Sequence, residues 1–300
     1  ELDDTAGEPL ARAPQASLFR LLLEAALPPL DAQALVALAR HPLVGFGMDE
    51  AARTTAAAVL DLSLRGVRPP DNLGALASFI TNSAAKAQAD KRSHAALKRL
   101  SDADWQCARD LAENIVASLS PLADAMAAEG TLETLLTRHM TAAEAAASAA
   151  GLWHGDAGEA LSLLFQNLMN AGPAAPLLRG ADYLALISGQ LAATPLRTRR
   201  VSHPRLAVYG LLEARLVTAD VMILGGLNET VWPQEAETDP WLSRPMKKLM
   251  GLMLPERRIG LTAHDFVQGF SGEEIWLTSA RKRDGTPAVP SRWLLRLKAL

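Results

Sequence analysis

The chain has 300 residues, 49% of them hydrophobic and 21% charged, with a formal net charge of −3. That is enough apolar material for one large domain or two ordinary ones, and it excludes a disordered tail. A single cysteine, Cys107, excludes an internal disulfide framework, a zinc-finger set and a four-cysteine iron–sulfur cluster within these residues.

No apolar run reaches membrane-spanning length, because Leu18–Leu30 is interrupted by Arg20, Glu24, Pro28 and Pro29. The chain starts at Glu1, shows no signal-peptide pattern and ends in helix-like sequence. It is therefore expected to be a piece of a longer cytoplasmic protein.

Residues 1–195 are rich in Ala and Leu, and their apolar residues recur at three and four spacing. Trp105, Ala108, Ala112, Ile115 and Leu119 fall on one helical face. Ser101 and Asp104 form an S-x-x-D capping box at the start of that helix. Thr141 and Glu144 repeat the pattern and predict another helix start. Leu161, Leu164, Phe165 and Leu168 make a further stripe, as do Tyr183, Ile187 and Leu191. Pro69-Pro70, Gly130 and Gly172-Pro173 punctuate the series. No fixed-period repeat is present, which argues against a solenoid.

From about Thr194 the pattern changes. Leu206–Tyr209, Val221–Leu224 and Glu274–Thr278 read as buried strands. Helix-like stretches at Leu242–Leu249 and Glu256–Phe270 lie between the last two. Strands alternating with helices predict an α/β fold with a parallel sheet.

Several chemistries are missing. A phosphate-binding P-loop needs a Gly-Lys pair, and the chain has none. Gly225-Gly226 follows a strand and reads as a tight turn. The six histidines are scattered, and none pairs with a second ligand at metal spacing. His41 and His203 each precede a proline, which favours extended backbone. No catalytic residue and no metal ligand is assigned.

Three constellations remain. The first is Gly210-Leu-Leu-Glu213-Ala-Arg215, straight after a strand. Glu213 and Arg215 read either as a local ion pair bracing the loop or as ligand contacts. The second is Gly225-Gly-Leu-Asn228-Glu229-Thr-Val-Trp232-Pro233, after the next strand. Both lie where open parallel sheets bind ligands, at the carboxyl ends of strands. Trp232 reads as a packing anchor beside Pro233 or as a nucleic-acid contact. The third is Arg281-Lys282-Arg283-Asp-Gly285, followed by Ser291-Arg292-Trp293. Between Arg244 and Leu300 there are eleven Lys/Arg against five Asp/Glu. A basic end on an acidic chain suits a phosphate backbone or an acidic partner, and a solvated face is the plain alternative.

In this order, these constellations resemble the AddB family of subunits of bacterial AddAB helicase–nucleases, of the alphaproteobacterial type. UvrD- and RecB-like superfamily 1 helicases share the deeper pattern. The resemblance is carried by Asp3-Asp4-Thr5-Ala6-Gly7-Glu8-Pro9-Leu10, His41-Pro42-Leu43, Leu64-Arg65-Gly66 and His203-Pro204-Arg205-Leu206. It continues through Gly210–Leu216, Gly225–Glu229, Trp232-Pro233, Asp239-Pro240-Trp241-Leu242-Ser243 and Ser291-Arg292-Trp293-Leu294. It spans nearly the whole chain, and its last hundred residues are the specific part.

The resemblance implies a RecA-like second motor domain of UvrD type with a large inserted all-helical domain. Residues 1–65 and 196–300 would form the discontinuous motor domain, and 66–195 the helical insertion. ATP, magnesium and an iron–sulfur cluster would belong to the parent protein outside this piece. The implied partners are an AddA-like helicase–nuclease subunit and DNA, with no membrane. The implied function is to bind and channel DNA during end resection for double-strand-break repair. Arg215, Asn228, Trp232, Arg281, Lys282, Arg283, Arg292 and Trp293 are the DNA-binding candidates.

The chain departs from active relatives at the nucleotide site. Their Gly-Leu-Glu loop here reads Gly210-Leu-Leu-Glu213, one residue longer. Their helix Glu-Arg-Arg-Leu-Phe-Tyr-Val-Ala-Leu-Thr-Arg-Ala corresponds to Glu256–Val267. Its arginine, which stabilises the transferring phosphoryl group, is replaced by Phe266. A phenyl ring cannot supply that charge, so a degenerate motor is expected. Two alternatives are a competent ATPase half whose arginine is Arg257, Arg258 or Arg281, and a protein-interaction scaffold without nucleic acid.

Overall fold

A run of thirteen residues from Pro14 to Ala26 carries apolar side chains all along one side, and in the computed structural model it is helix α1. The structure describes residues 3–4, 7–90, 92–147, 149–196, 205–235 and 239–300. Helices follow at α2 (Ala32–Ala39), α3 (Glu50–Leu64), α4 (Leu76–Ala89), α5 (Ala95–Lys98), α6 (Asp102–Ala127) and α7 (Leu132–Ala146). The series continues through α8 (Ala149–Leu152), α9 (Gly155–Ala171) and α10 (Gly180–Ala193). Then come α11 (Arg244–Leu249), α12 (Pro255–Gly269) and α13 (Arg292–Lys298). The strands are short: β1 (Asp3–Asp4), β2 (Glu8–Pro9), β3 (Pro195–Leu196), β4 (Ala207–Val208), β5 (Val221–Leu224), β6 (Glu274–Leu277), β7 (Lys282–Arg283) and β8 (Thr286–Pro287). The chain is thus mixed α and β, and mostly helical. No described helix is long and apolar enough to cross a membrane.

Two units each enclose a core of their own: Gly7–Arg199, and Glu1–Ala6 with Arg200–Leu300. This division corrects the expected one. Residues 7–64 do not join the α/β unit. Leu18, Phe19, Leu22, Leu38, Val59 and Leu60 from α1–α3 are buried in the same core as Trp105, Ile115 and Leu119 from α6. The antiparallel pair β2·β3 ties Glu8–Pro9 to Pro195–Leu196, closing the helical unit at both ends. Strand β1 belongs to the α/β unit, where it pairs parallel with β4.

The long helix α6 begins as its sequence predicts. Ser101 Oγ accepts from the Asp104 amide at 3.2 Å, and the Asp104 carboxylate accepts from the Ser101 amide at 2.8 Å. Two otherwise unpaired amides are satisfied at once. The second predicted cap is corrected. Thr141 sits inside α7, where its hydroxyl donates to the Thr137 carbonyl. The cap of α7 is Thr131, which accepts from the Thr134 amide.

A buried aromatic cluster joins α1, α7, α9 and α10. His139 is fully buried, with its ring 4.8 Å from Phe19 and 5.8 Å from Phe165. Its Nε2 lies 2.9 Å from the Phe19 carbonyl, and its Nδ1 3.0 Å from the Tyr183 hydroxyl. A carbonyl only accepts, so Nε2 carries the proton and Nδ1 accepts from Tyr183. Burial pushes the His139 pKa down to about 4 and that of Tyr183 upward. The folded imidazole stays neutral where the unfolded one, near 6.5, takes up a proton. Stability of the helical unit is therefore full above pH 6.5 and falls as the pH drops toward 4, by about 3 kcal/mol from this group. Urea unfolding across that window is expected to show this slope, and His139→Gln to flatten it.

Candidate nucleic-acid interface

In the α/β unit, β5 and β6 pair parallel in the register Val221↔Glu274 to Leu224↔Leu277. Residues paired across a parallel ladder point to the same face. Met222, Leu224 and Leu277 therefore face the small core, which also holds Leu227, Trp232, Phe266 and Leu294. Helix α12 lies directly on this face. A Cβ at Gly269 would stand 2.8 Å from Leu224 Cδ2, so a larger residue there would make the Leu224 side chain shift.

The chain leaves β5 through Gly225 and Gly226, the latter with φ +67°, which supports the tight-turn reading. The loop then locks onto the end of β6. The Leu227 amide donates to Thr278 O at 2.8 Å, and the Ser291 amide donates to Leu227 O. Asn228 is buried, and its side chain works as a clasp. Its Nδ2 donates to Ala280 O at 2.8 Å and to Val289 O at 3.3 Å, and its Oδ1 accepts from the Ala280 amide at 2.9 Å. Trp232 is also buried, and its Nε1 donates to Gly225 O. Ser291 Oγ donates to Trp232 O, and Ser291 Oγ also accepts from the Trp293 amide at the start of α13.

Most of the eight DNA-binding candidates are consumed by this framework. Asn228 and Trp232 hold the loop. Trp293 is half-buried, 5.1 Å from Phe266 and edge-on to Trp232. Arg292 grips Glu229 through Nε, Nη2 and its own amide, which holds the Glu229 carboxyl below its usual range. Arg215 makes a two-pronged bond with Asp265 on α12, at 2.7 and 3.0 Å. Of the two readings of Glu213 and Arg215, the local ion pair is not the one formed. Glu213 is exposed, and Asp265, whose side chain is 7% exposed, is the partner.

Arg281, Lys282 and Arg283 are different. They are exposed and without an ion-pair partner among the described residues. They follow β6 and enter the β7·β8 hairpin, in which Lys282 pairs with Pro287 and Arg283 with Thr286. The two-residue turn is Asp284-Gly285, with φ of 50° and 79°. Two consecutive positive φ angles make a type I′ turn, whose twist matches that of the strands it joins. Asp-Gly is a strong sequence signal for such a turn, and it marks the hairpin that the strand pattern alone had missed.

The nucleotide positions do not make a phosphate site. Phe266 is turned into the core, stacked 5.9 Å from Phe270 and tilted against Trp293. Gly210 and Glu213 lie in the turn before Arg215, where Glu213 adds negative charge. Arg257 and Arg258 are exposed on α12. No group of three or more metal-ligating side chains occurs among the described residues. His203 and Pro204, which follow the helical unit, lie outside the described residues, as do Thr5 and Ala6. In the helical unit, an open groove of about 410 Å³ is lined by Met140, Trp153, Phe165 and Met169, with Ser162, Gln166 and Asn170. It gathers no titratable side chain, so it offers no acid–base chemistry.

No family model matches this chain. It is similar to an uncharacterized protein of Rickettsia felis (strain ATCC VR-1525 / URRWXCal2), 29% identical over 83 residues. The match covers 28% of this chain and 10% of that protein. The aligned segment thus spans a small part of a much longer relative.

Proposed function

We propose that this chain holds DNA within an AddB-like subunit of a helicase–nuclease that resects double-strand breaks, and that its own motor region is degenerate. The observation that carries the reading is the hairpin of residues 281–287. It places three exposed cations, without an ion-pair partner among the described residues, in succession after the carboxyl end of a parallel strand. Phosphate contacts need accessible Lys and Arg, and the hairpin holds these three in adjacent positions of the chain. Two further features support it. Phe266 fills the core at the position where an active motor needs a charge. The parallel pair β5·β6, with α11 and α12 between its strands, is the kind of unit that a RecA-like motor domain of UvrD type would contain. On this reading the helical unit, with residues 7–65 included, is the insertion. ATP, magnesium and the iron–sulfur cluster belong to other parts of the parent protein. The partner is an AddA-like subunit, and the compartment is the bacterial cytoplasm.

The test replaces Arg281, Lys282 and Arg283 together with alanine. Affinity of the chain for a single-stranded oligonucleotide, followed by anisotropy at low salt, is expected to fall about tenfold or more. Its salt dependence should become shallower by about one unit for each phosphate that is no longer neutralised. Unchanged affinity and slope would make the hairpin a solvated face and overturn the reading.

A further inference from the structure

Helix α11 and its flanks do something unusual for a segment between a strand and a helix: they contribute nothing to the core. The α/β core draws on β5, its loop, β6, α12 and α13, and on no residue between Asp239 and Leu254. Yet this segment is strongly apolar. Trp241 is 87% exposed, Leu249 88%, Met250 63% and Met253 55%. Met246 and Leu252 are nearly half exposed. Met246, Leu249 and Met250 lie three and four residues apart, so they share one face of the helical turn, and that face points to solvent.

The segment is nevertheless built. The Asp239 carboxylate accepts from the Trp241 and Leu242 amides and pairs with Lys247 at 3.3 Å. Arg244 pairs with Glu256 at 3.2 Å. Gly251, with φ +68°, ends the helix, and the Leu252 amide returns to Lys247 O. These bonds fix a small lobe whose outer surface is apolar. Large exposed apolar side chains gathered on a short defined scaffold mark an interaction site. The acids of the lobe are used internally. Lys248, Arg257 and Arg258 are exposed and have no ion-pair partner among the described residues. The side-chain charges of residues 239–258 left without an ion-pair partner among the described residues are therefore positive.

The geometry points to a protein partner: the lobe of residues 239–258 docks an amphipathic helix with an acidic polar face. Leucine-like side chains of that helix seat among Trp241, Met246, Leu249 and Met250, and its carboxylates meet Lys248, Arg257 and Arg258. Flexible methionines fit such a groove-filling role. Nucleic acid fits less well, because only Trp241 offers a flat surface for a base. A membrane surface calls for a longer apolar face than one and a half helical turns. A second copy across a two-fold axis would bring the same cations together. None of these residues belongs to the 281–287 hairpin, so docking here does not depend on DNA binding there.

The test uses the full chain and a synthetic amphipathic helix of leucine and glutamate, with a leucine–lysine helix of the same pattern as control. Binding is followed by calorimetry and by protection of Trp241 from collisional quenching. The acidic helix is expected to bind at least tenfold more tightly than the basic one. Leu249→Ser with Met250→Ser, and separately Lys248→Glu with Arg258→Glu, are each expected to weaken it at least tenfold. All four positions are exposed, and unchanged amide protection of β5 and β6 would show the fold intact. No binding of the acidic helix, equal binding of the basic one, or full binding by both variants would overturn the proposal. So would stronger protection of Trp241 by oligothymidylate or by phosphatidylglycerol vesicles. Dimerisation of the chain abolished by Leu249→Ser with Met250→Ser would overturn it in favour of a second copy.

Discussion

Phe266→Arg is expected to unfold the α/β unit and leave the helical unit folded. The side chain is buried beside Trp232, Trp293 and Phe270 in a small core that counts five buried apolar residues among those described. Removing the ring forfeits about 2–3 kcal/mol of burial. Placing an unpaired guanidinium there adds a desolvation penalty of several kcal/mol more. Together these approach the whole stability of a small domain, which is about 5–15 kcal/mol. The neighbouring Asp265 offers no rescue, because its carboxylate is already held by both prongs of Arg215. Hydrogen exchange checks the outcome. The amides of Leu227, Thr278 and Ser291 should lose protection, while those of α6 and α7 keep theirs. A folded variant that gained ATP hydrolysis would show a latent motor and contradict the degenerate reading.

Asn228→Ala is expected to cost about 3 kcal/mol in the same unit. The amide side chain is the sole partner shown for the Ala280 amide and carbonyl, and it shares the Val289 carbonyl with the Glu229 amide. Ala280 and Val289 are exposed residues, so the cost is that of the three hydrogen bonds lost, about 1 kcal/mol each. Asn228→Asp should fall between wild type and alanine, since it keeps the acceptor and loses the donor. Protection of the Thr278 and Ser291 amides reads the order directly. The clasp also sets where the 281–287 hairpin leaves the sheet, so the alanine variant should weaken oligonucleotide binding although Asn228 itself is buried.

Local signals were legible in the sequence, and long-range pairings were not. The Ser101-x-x-Asp104 box is a contact between residues three apart, and it forms as read. The same pattern at Thr141 and Glu144 fails because α7 has already started at Leu132, and a helix interior offers no free amide to cap. The stripes of α6, α9 and α10 are buried as their spacing predicts. Periodicity says which face is buried, and not against what. Residues 7–64 therefore carried helices with no address, and the domain boundary drawn at 65 fell in the wrong place. At the site, Arg215 had a carboxylate two residues away, but its partner is Asp265, fifty positions on. Asn228 and Arg292 were readable as polar loop residues exposed to a ligand. Folding instead spends both on joining the Gly225–Trp232 loop to residues 280–292. Among the eight candidates, the Arg281–Arg283 run alone stays exposed and without an ion-pair partner among the described residues.

The most direct measurement of DNA holding by the hairpin is lysine acetylation, read by mass spectrometry with and without a single-stranded oligonucleotide. Lys282 sits in the hairpin, while Lys86 lies in the helical unit on α4 and serves as the internal control. Saturating oligonucleotide is expected to protect Lys282 severalfold and to leave Lys86 as reactive as before. Protection should disappear when salt displaces the DNA. Equal reactivity of Lys282 with and without bound oligonucleotide would contradict a DNA-holding role for the hairpin.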